Sequence, residues 1–451
     1  MSDSPAPQAA PSTIASPAAR GRKPQEPLGA PLVDGNYPSI SRLTMDADSA
    51  LSRREYQTAA TLYLMALDRP SIQPYLRATI LTNLGLAWQY LNEMEKATAC
   101  FEEAVTANPK LASAQTGLGY IYARRARHAE ALAHYDQALL LDTTSAITHA
   151  NRALSLEALG QLEEAWKESE WRYSIPTATS FYPYRYTKPK WKGEQLQGRT
   201  LLVHREQGLG DVIQYLRFLP PLARLDGRVR FECPTPLLPL VSSMPGLEAI
   251  PAQSRPVPQE MFDCCVPLLS LPHILKFNAA ELAATCPYVP RNRCDENGFS
   301  TRWGSGLKVG FVWSGSSFDE TRNAALSDFL PLLNLNARLV SLQKDVAESE
   351  QQQLSEHGME NAGFTFQHFG DTRDAILALD AVVTVDTAVA HLAGALAKPT
   401  WLLLNEPAAV RWMVNRADSP WYPTMRIRRR RDGEHWREMV VSVAREIERE
   451  V

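Results

Sequence analysis

Little in this sequence is extreme, and each thing it lacks removes a class of function. Nowhere do about 18 apolar residues run uninterrupted, so no membrane-spanning helix is expected. The opening Met1-Ser2-Asp3-Ser4-Pro5-Ala6-Pro7 lacks the apolar stretch of a secretory signal, and a cytoplasmic protein is the expectation. Cysteine is scarce: Cys100, Cys233, Cys264, Cys265, Cys286 and Cys294 form neither a CxxC pair nor a regular spacing. A zinc site or disulfide framework is therefore not expected, and the six read as small buried or idle thiols. Charge of one sign is also missing, because 47 basic against 50 acidic side chains leave a net charge of −3. Nothing here calls for nucleic acid or an anionic membrane as partner.

What is present is a chain of 451 residues, too long for one core, and its pattern changes three times. Residues 1–38 are dense in Pro, Ala, Ser and Gly without periodicity, a composition that predicts a disordered leader. Over 39–175 the pattern is helical and repeats. Gly85, Gly119 and Ala153 are each 34 apart, as are Ala97, Ala131 and Ala165, and that period belongs to tetratricopeptide repeats. Large residues recur in step: Leu84 and Leu118, Trp88 and Tyr122, Phe101 and Tyr135. A looser copy around Tyr56 to Ala66 and a decayed one after Ile147, where Ser169 replaces the aromatic residue, make about four units.

Beyond an aromatic connector at Ser174–Lys192, short apolar runs alternate with helical stretches. Leu201–His204, Val229–Cys233, Lys308–Trp313, Arg338–Leu342, Ala381–Val385 and Thr400–Leu404 are predicted strands, several apolar throughout as buried parallel strands are. Two sets, separated near Arg291–Gly306, predict two Rossmann-like domains over 176–300 and 301–451 with a ligand cleft between them. The final stretch from Trp436 reads as an amphipathic helix. The basic run Arg426–Arg431 reads as a solvated stretch, given the glutamates that follow it, with phosphate or nucleic acid as the other possibility.

Ligands of open α/β sheets bind where strands end, so the loops after strands matter most. Glu206-Gln207-Gly208-Leu209-Gly210-Asp211 follows the first strand. Two glycines allow a tight turn and close ligand approach, and Asp211 can either take a proton from a hydroxyl or cap the helix. Trp313-Ser314-Gly315-Ser316-Ser317, with Arg322 beyond it, can offer backbone N–H groups, hydroxyls and a guanidinium to a diphosphate, or can be a plain solvent-facing turn. Ser341-Leu342-Gln343-Lys344 ends a strand with a lysine suited to phosphate or to the surface. Asp386 and Thr387 stand at a helix start, with His391 about one turn along; both an anion site and a cap with a buried histidine fit. The small Ala393, Gly394 and Ala395 predict tight packing of that helix on the sheet.

Taken together, Gln207–Asp211, Ser341–Lys344, Val385–Gly394 and Asp418-Ser419-Pro420-Trp421-Tyr422-Pro423 resemble tetratricopeptide-fused bacterial glycosyltransferases. The chain is similar to glycosyltransferase family 9, the ADP-heptose heptosyltransferases, and more distantly to protein O-GlcNAc transferases. The resemblance implies a GT-B fold and metal-independent sugar transfer from a nucleotide-sugar donor, with no other cofactor. It makes Asp211 the general base, Lys344 and Arg322 phosphate partners, and Asp386, Thr387 and His391 donor-nucleotide residues. Gly208, Gly210, Trp313, Ser314 and Gln343 complete the implied nucleotide-sugar site, and the final helix is expected to cross back to the first Rossmann half. Two segments depart from the family pattern. Val410-Arg411-Trp412-Met413 stands where Asp-Trp-Arg-Trp is usual, and Ser316–Thr321 lacks the usual His and Asn-Pro. A solenoid joined to the transferase points to a protein acceptor, flagellin or another surface protein by family analogy. The other readings are a lipopolysaccharide-type glycan acceptor and a tetratricopeptide adaptor without catalysis.

Overall fold

A computed structural model describes residues 38–70, 72–175, 186–291, 298–315 and 320–451. The expected leader, most of the connector and Ser316–Asp319 therefore lie outside the described residues, as does Cys294. The chain divides into two compact units, with the sequence boundary between Ile175 and Pro176.

The first unit is a stack of four helix pairs: α1 (Ile40–Ser52) with α2 (Tyr56–Leu67), α3 (Pro74–Tyr90) with α4 (Met94–Ala107), α5 (Ala112–Arg124) with α6 (His128–Leu141), and α7 (Ala146–Ala158) with α8 (Leu162–Ser169). The 34-residue period has a steric cause. A Cβ added to Gly85 would lie 2.7 Å from the Phe101 ring, and one added to Gly119 would lie 2.4 Å from the Tyr135 ring. Each ring thus fills the space that a missing side chain leaves on the preceding helix, and both rings are fully buried. In the fourth unit the ring position is Ser169 and the glycine position is Ala153, so a small gain on one helix accompanies the loss on the other.

The turn inside each pair is equally periodic. Arg54, Asn92, Ala126 and Gly160 all take left-handed backbone, with φ of 64°, 63°, 57° and 78°. The following amide closes each helix end, as in Arg127 N–H to Tyr122 O at 2.9 Å. Only the last unit places glycine there; the others hold a side chain in a conformation that costs about 1 kcal/mol or more.

The second unit contains two wholly parallel sheets. The first has the order β3 (Glu248–Pro251), β2 (Arg228–Cys233), β1 (Thr200–His204), β4 (Cys264–Pro267). The second has the order β10 (Met425–Arg429), β9 (Thr400–Leu404), β8 (Ala381–Val385), β5 (Leu307–Val312), β6 (Ala337–Ser341), β7 (Glu360–Asn361). Counted from its own first strand, the second sheet has the 3-2-1-4-5-6 order of doubly wound nucleotide-binding folds, and the first sheet repeats its 3-2-1-4 portion. Chain direction therefore reverses between β1 and β4 and between β5 and β8, and ligand crevices open at such points.

All six predicted strands are present. Those missed, β3, β4, β7 and β10, are short, proline-ended or charged. β10 lies within the arginine run that read as a solvated stretch. It is an edge strand pairing with β9, in which Met425 and Ile427 are buried. Arg426 and Arg428 ion-pair with Glu450 and Glu446, and Arg429 with Glu406, so these three charges are neutralised within the fold.

The last helix, Trp436–Glu450, does not cross back to the first sheet as expected. Its apolar face, Trp436, Met439, Val440, Val443 and Ile447, is built into the core of the second sheet with Phe311, Val383 and Trp401. Glu446 also accepts from the Trp401 indole N–H at 3.0 Å. Of the thiols, Cys233, Cys264 and Cys265 are buried and Cys100 and Cys286 partly so, and burial pushes the Cys233 thiol up to about 12. No helix among the described residues is long and apolar enough to cross a membrane.

Glu232 on β2 is the anomaly of this unit. It is fully buried, a carboxyl in the interior of the first sheet. Burial pushes its carboxyl up to about 7, against the opposing charge and backbone N–H of Arg205. Two outcomes test these observations. Ala126→Gly relieves a left-handed alanine and should raise the stability of the repeat unit by up to about 1 kcal/mol in a denaturant titration. For Glu232 the folded state holds a proton that the unfolded state has released, so stability falls as pH rises from about 4.5 to about 7. Glu232→Gln should remove that slope, leaving the variant more stable than wild type at pH 8, by no more than about 3 kcal/mol, and little changed at pH 4.

Candidate functional site

The site lies where the loops after β1, β5, β8 and β9 meet. After β1 the chain turns through Gln207, which at φ 57° carries the left-handed conformation, while Gly208 is extended at φ −85° and ψ 175°. The tight turn expected of the glycines is thus made by glutamine. Gly210 serves the close approach instead, in the helix α9 (Leu209–Tyr215). A Cβ on Gly210 would lie 2.8 Å from Cδ2 of His391 and 3.7 Å from Cα of Ala388. Both belong to the helix α10 (Ala388–Ala395) that follows β8, so the loops of the two sheets touch where position 210 has no side chain.

His391 is enclosed. Its Nδ1 shares a 2.9 Å hydrogen bond with the Tyr422 hydroxyl, its ring stacks on Trp412 with centroids 4.9 Å apart, and 2% of it is exposed. Burial first, then the positive charges of Arg411, Arg217 and Arg322, hold the imidazole well below its ordinary range, so it is neutral. Gly394, one turn on, was expected to bring α10 close to the sheet. Its bare Cα meets Tyr422 instead, since a Cβ there would lie 2.4 Å from the ring.

A second tie crosses the same seam. The buried Arg217 guanidinium donates to Trp421 O at 2.9 Å and to Leu282 O at 3.3 Å, and lies over the rings of Tyr288 and Tyr422. Tyr288 N–H in turn donates to Ala395 O at the end of α10.

Asp211 caps the helix and holds an ion pair. Its Oδ2 accepts the Gly208 N–H at 3.0 Å, a helix cap, and its Oδ1 forms an ion pair with Arg411 from the turn after β9. At the start of α10, Thr387 Oγ1 accepts the Ala390 N–H at 3.4 Å and so caps the helix, while Asp386 faces Arg322 at 3.9 Å. Two backbone N–H groups of the β5 loop have internal acceptors: Ser314 donates to Gln343 Oε1 at 3.2 Å and Gly315 to Asn323 Oδ1 at 2.8 Å. A ligand reaching these amides has to displace those side chains.

Of the residues singled out from the sequence, Gly208, Gly210, Asp211, Asp386, Thr387, His391, Arg322, Ser314 and Gln343 line this seam and the β5 and β6 loops that flank it. Lys344 is exposed beyond Gln343. The Trp313 side chain is not in the site: it is buried in the second sheet's core, its indole N–H donating to Glu350 at 2.9 Å, because strand alternation turns it inward. Sequence reading missed Arg411, Trp412, Tyr422 and Arg217. Arg411 and Trp412 lie in the segment marked only as departing from a family pattern; an Arg-Trp pair directly after a strand was the available signal. Arg217 carried none.

A tetratricopeptide repeat model matches residues 78–111, which spans most of α3 and all of α4. Protein FlbA of Caulobacter vibrioides is 23% identical over 415 residues, covering 76% of this chain and 68% of that protein. Among solved structures, MamA is 18% identical over 30% of this chain and 77% of its own, with a TM-score of 0.27. The E. coli ADP-heptose lps heptosyltransferase II is 14% identical over 55% of this chain and 98% of its own, with a TM-score of 0.38.

The seam itself predicts a stability effect. With His391 fixed by Tyr422 and Trp412, Gly210→Ala has no room to relax, and should cost about 1–3 kcal/mol in denaturant unfolding.

Proposed function

We propose that this protein is a glycosyltransferase that moves a sugar from a nucleotide-sugar donor to a hydroxyl of a protein acceptor engaged by its tetratricopeptide repeats. One observation carries the reading. A carboxylate from the first sheet, Asp211, and two guanidiniums from the second, Arg322 and Arg411, converge at the reversal points of two doubly wound sheets.

Sugar transfer needs that division of charge. The acceptor oxygen gives its proton to Asp211 as it bonds to the anomeric carbon; the sugar–phosphate bond breaks, and its electrons leave on the nucleoside diphosphate. Arg322 and Arg411 neutralise the charge developing there, and Lys344 adds a point charge from the β6 loop. Neutral His391 keeps the two sheets' loops in register. No resident metal enters this reading. A solenoid of stacked helix pairs is suited to an extended polypeptide, which favours a protein, such as flagellin or another surface protein, over a lipopolysaccharide-type glycan.

One observation favours a second reading, an adaptor without catalysis: the Asp211 carboxylate is paired with Arg411 in this structure. Turnover separates the two. With purified protein and a panel of ADP-, GDP-, UDP- and CMP-sugars in the absence of added metal, one donor should be consumed in the presence of acceptor. Asp211→Asn should lower kcat by a factor of about 100 or more while the variant still binds that donor. Wild-type turnover in Asp211→Asn would remove Asp211 as the base, and absence of nucleotide binding across the panel would favour the adaptor.

A further inference from the structure

We infer that Arg411 is a positioning residue that holds the Asp211 carboxylate until a diphosphate draws Arg411 away, so that the base is released only when the donor is bound. The inference rests on the transferase reading above and adds to it the order in which the site assembles.

Asp211 is occupied at both ends. Oδ2 is committed to the Gly208 amide that caps α9, and only Oδ1 is free to serve chemistry. Arg411 Nη1 sits on that oxygen, in a pair whose side chains are 15% and 14% exposed. An acceptor hydroxyl arriving at this structure finds the Asp211 lone pair it needs engaged by a cation.

The same guanidinium is the natural partner of the leaving group. Arg411 belongs to the short helical turn Val410–Trp412 after β9, whose Trp412 stacks on His391 of α10. Arg322 stands near the first residues of α10, 3.9 Å from Asp386, and both arginines act on His391. A diphosphate at the β5–β8 reversal point therefore meets two guanidiniums, each facing a carboxylate in this structure, and only Arg411 faces the one assigned as the base. The exchange has a direction. A carboxylate offers Arg411 one negative charge, and a diphosphate offers more charge with several oxygens in the geometry that a guanidinium fork prefers. When Arg411 moves to the phosphate, Oδ1 is left facing the cleft while the Gly208 bond keeps the carboxylate aimed.

Around the pair, His391 of α10 feels the charges of Arg411, Arg217 and Arg322, and Asp386 after β8 faces Arg322. Arg411 bridges from the second sheet to the base. The kinetic consequence is donor first, acceptor second.

The test is a binding cycle needing neither acceptor nor turnover. ADP, GDP and UDP are titrated calorimetrically into wild type, Asp211→Asn, Arg411→Ala and the double variant. With the carboxylate neutralised, Arg411 is no longer held by Asp211, so Asp211→Asn should bind the preferred nucleoside diphosphate more tightly than wild type, by roughly tenfold. Arg411→Ala should bind it more weakly, and in that background the Asn substitution should change affinity less than about twofold. An unchanged affinity in Asp211→Asn overturns the inference. So does an equal gain with and without Arg411, which would be repulsion between Asp211 and phosphate. If Arg411→Ala fails to fold, Arg411→Gln replaces it in the same cycle. Should no protein in the set bind any of the three nucleotides, the transferase reading itself falls, an outcome distinct from both.

Discussion

The second unit depends on one close approach. Two parallel sheets that end in opposed loops can share a site only if those loops meet, and here they meet because Gly210 leaves its place to the His391 ring. What surrounds that contact serves to fix it. Trp412 stacks on one face of the imidazole, Tyr422 holds its Nδ1, Gly394 makes room for Tyr422, and Arg217 ties α9's end to the carbonyl of Trp421. The imidazole is neutral because a charged one would be buried among three arginines, so the histidine acts as a packed, hydrogen-bonded ring and leaves the positive field to the guanidiniums.

That field explains the arrangement of the acids. Asp211 and Asp386 each face an arginine across the site, and in each pair one member stands where a substrate group belongs. Exposed pairs of this kind contribute little to stability. Partly buried pairs in a crevice matter more, because a ligand of higher charge can exchange with one partner in a medium where charge is poorly screened. The site is therefore held together in its ligand-free form by contacts that a diphosphate and an acceptor would compete for.

The repeat unit follows a simpler constraint, legible almost entirely in the sequence. A glycine and an aromatic ring must stand 16 residues apart, as Gly85 and Phe101 or Gly119 and Tyr135 do, because the ring fills the space where the side chain is missing. Local spacing carries that information, since the partners lie on adjacent helices. Loops after strands were legible for a related reason: strand, glycine-rich turn and helix are neighbours in the chain, so Asp211, Asp386 and His391 could be found from their immediate context. Trp313 misled because its place at the end of a strand suited a ligand loop, whereas the pleat turned its indole into the core.

The sequence by itself determined the two kinds of architecture, the repeat period, six of the ten strands among the described residues and the loops that meet at the seam, because each is written in spacing of fewer than about 40 residues. Tertiary structure alone decided which charges meet. Asp211 and Arg411 are separated by 200 positions and Arg217 and Trp421 by 204, and nothing local marks either pair. The meeting of the two sheets' loops brings them together: each pair joins a segment following a strand of the first sheet to one following a strand of the second, along the seam where Gly210 meets His391.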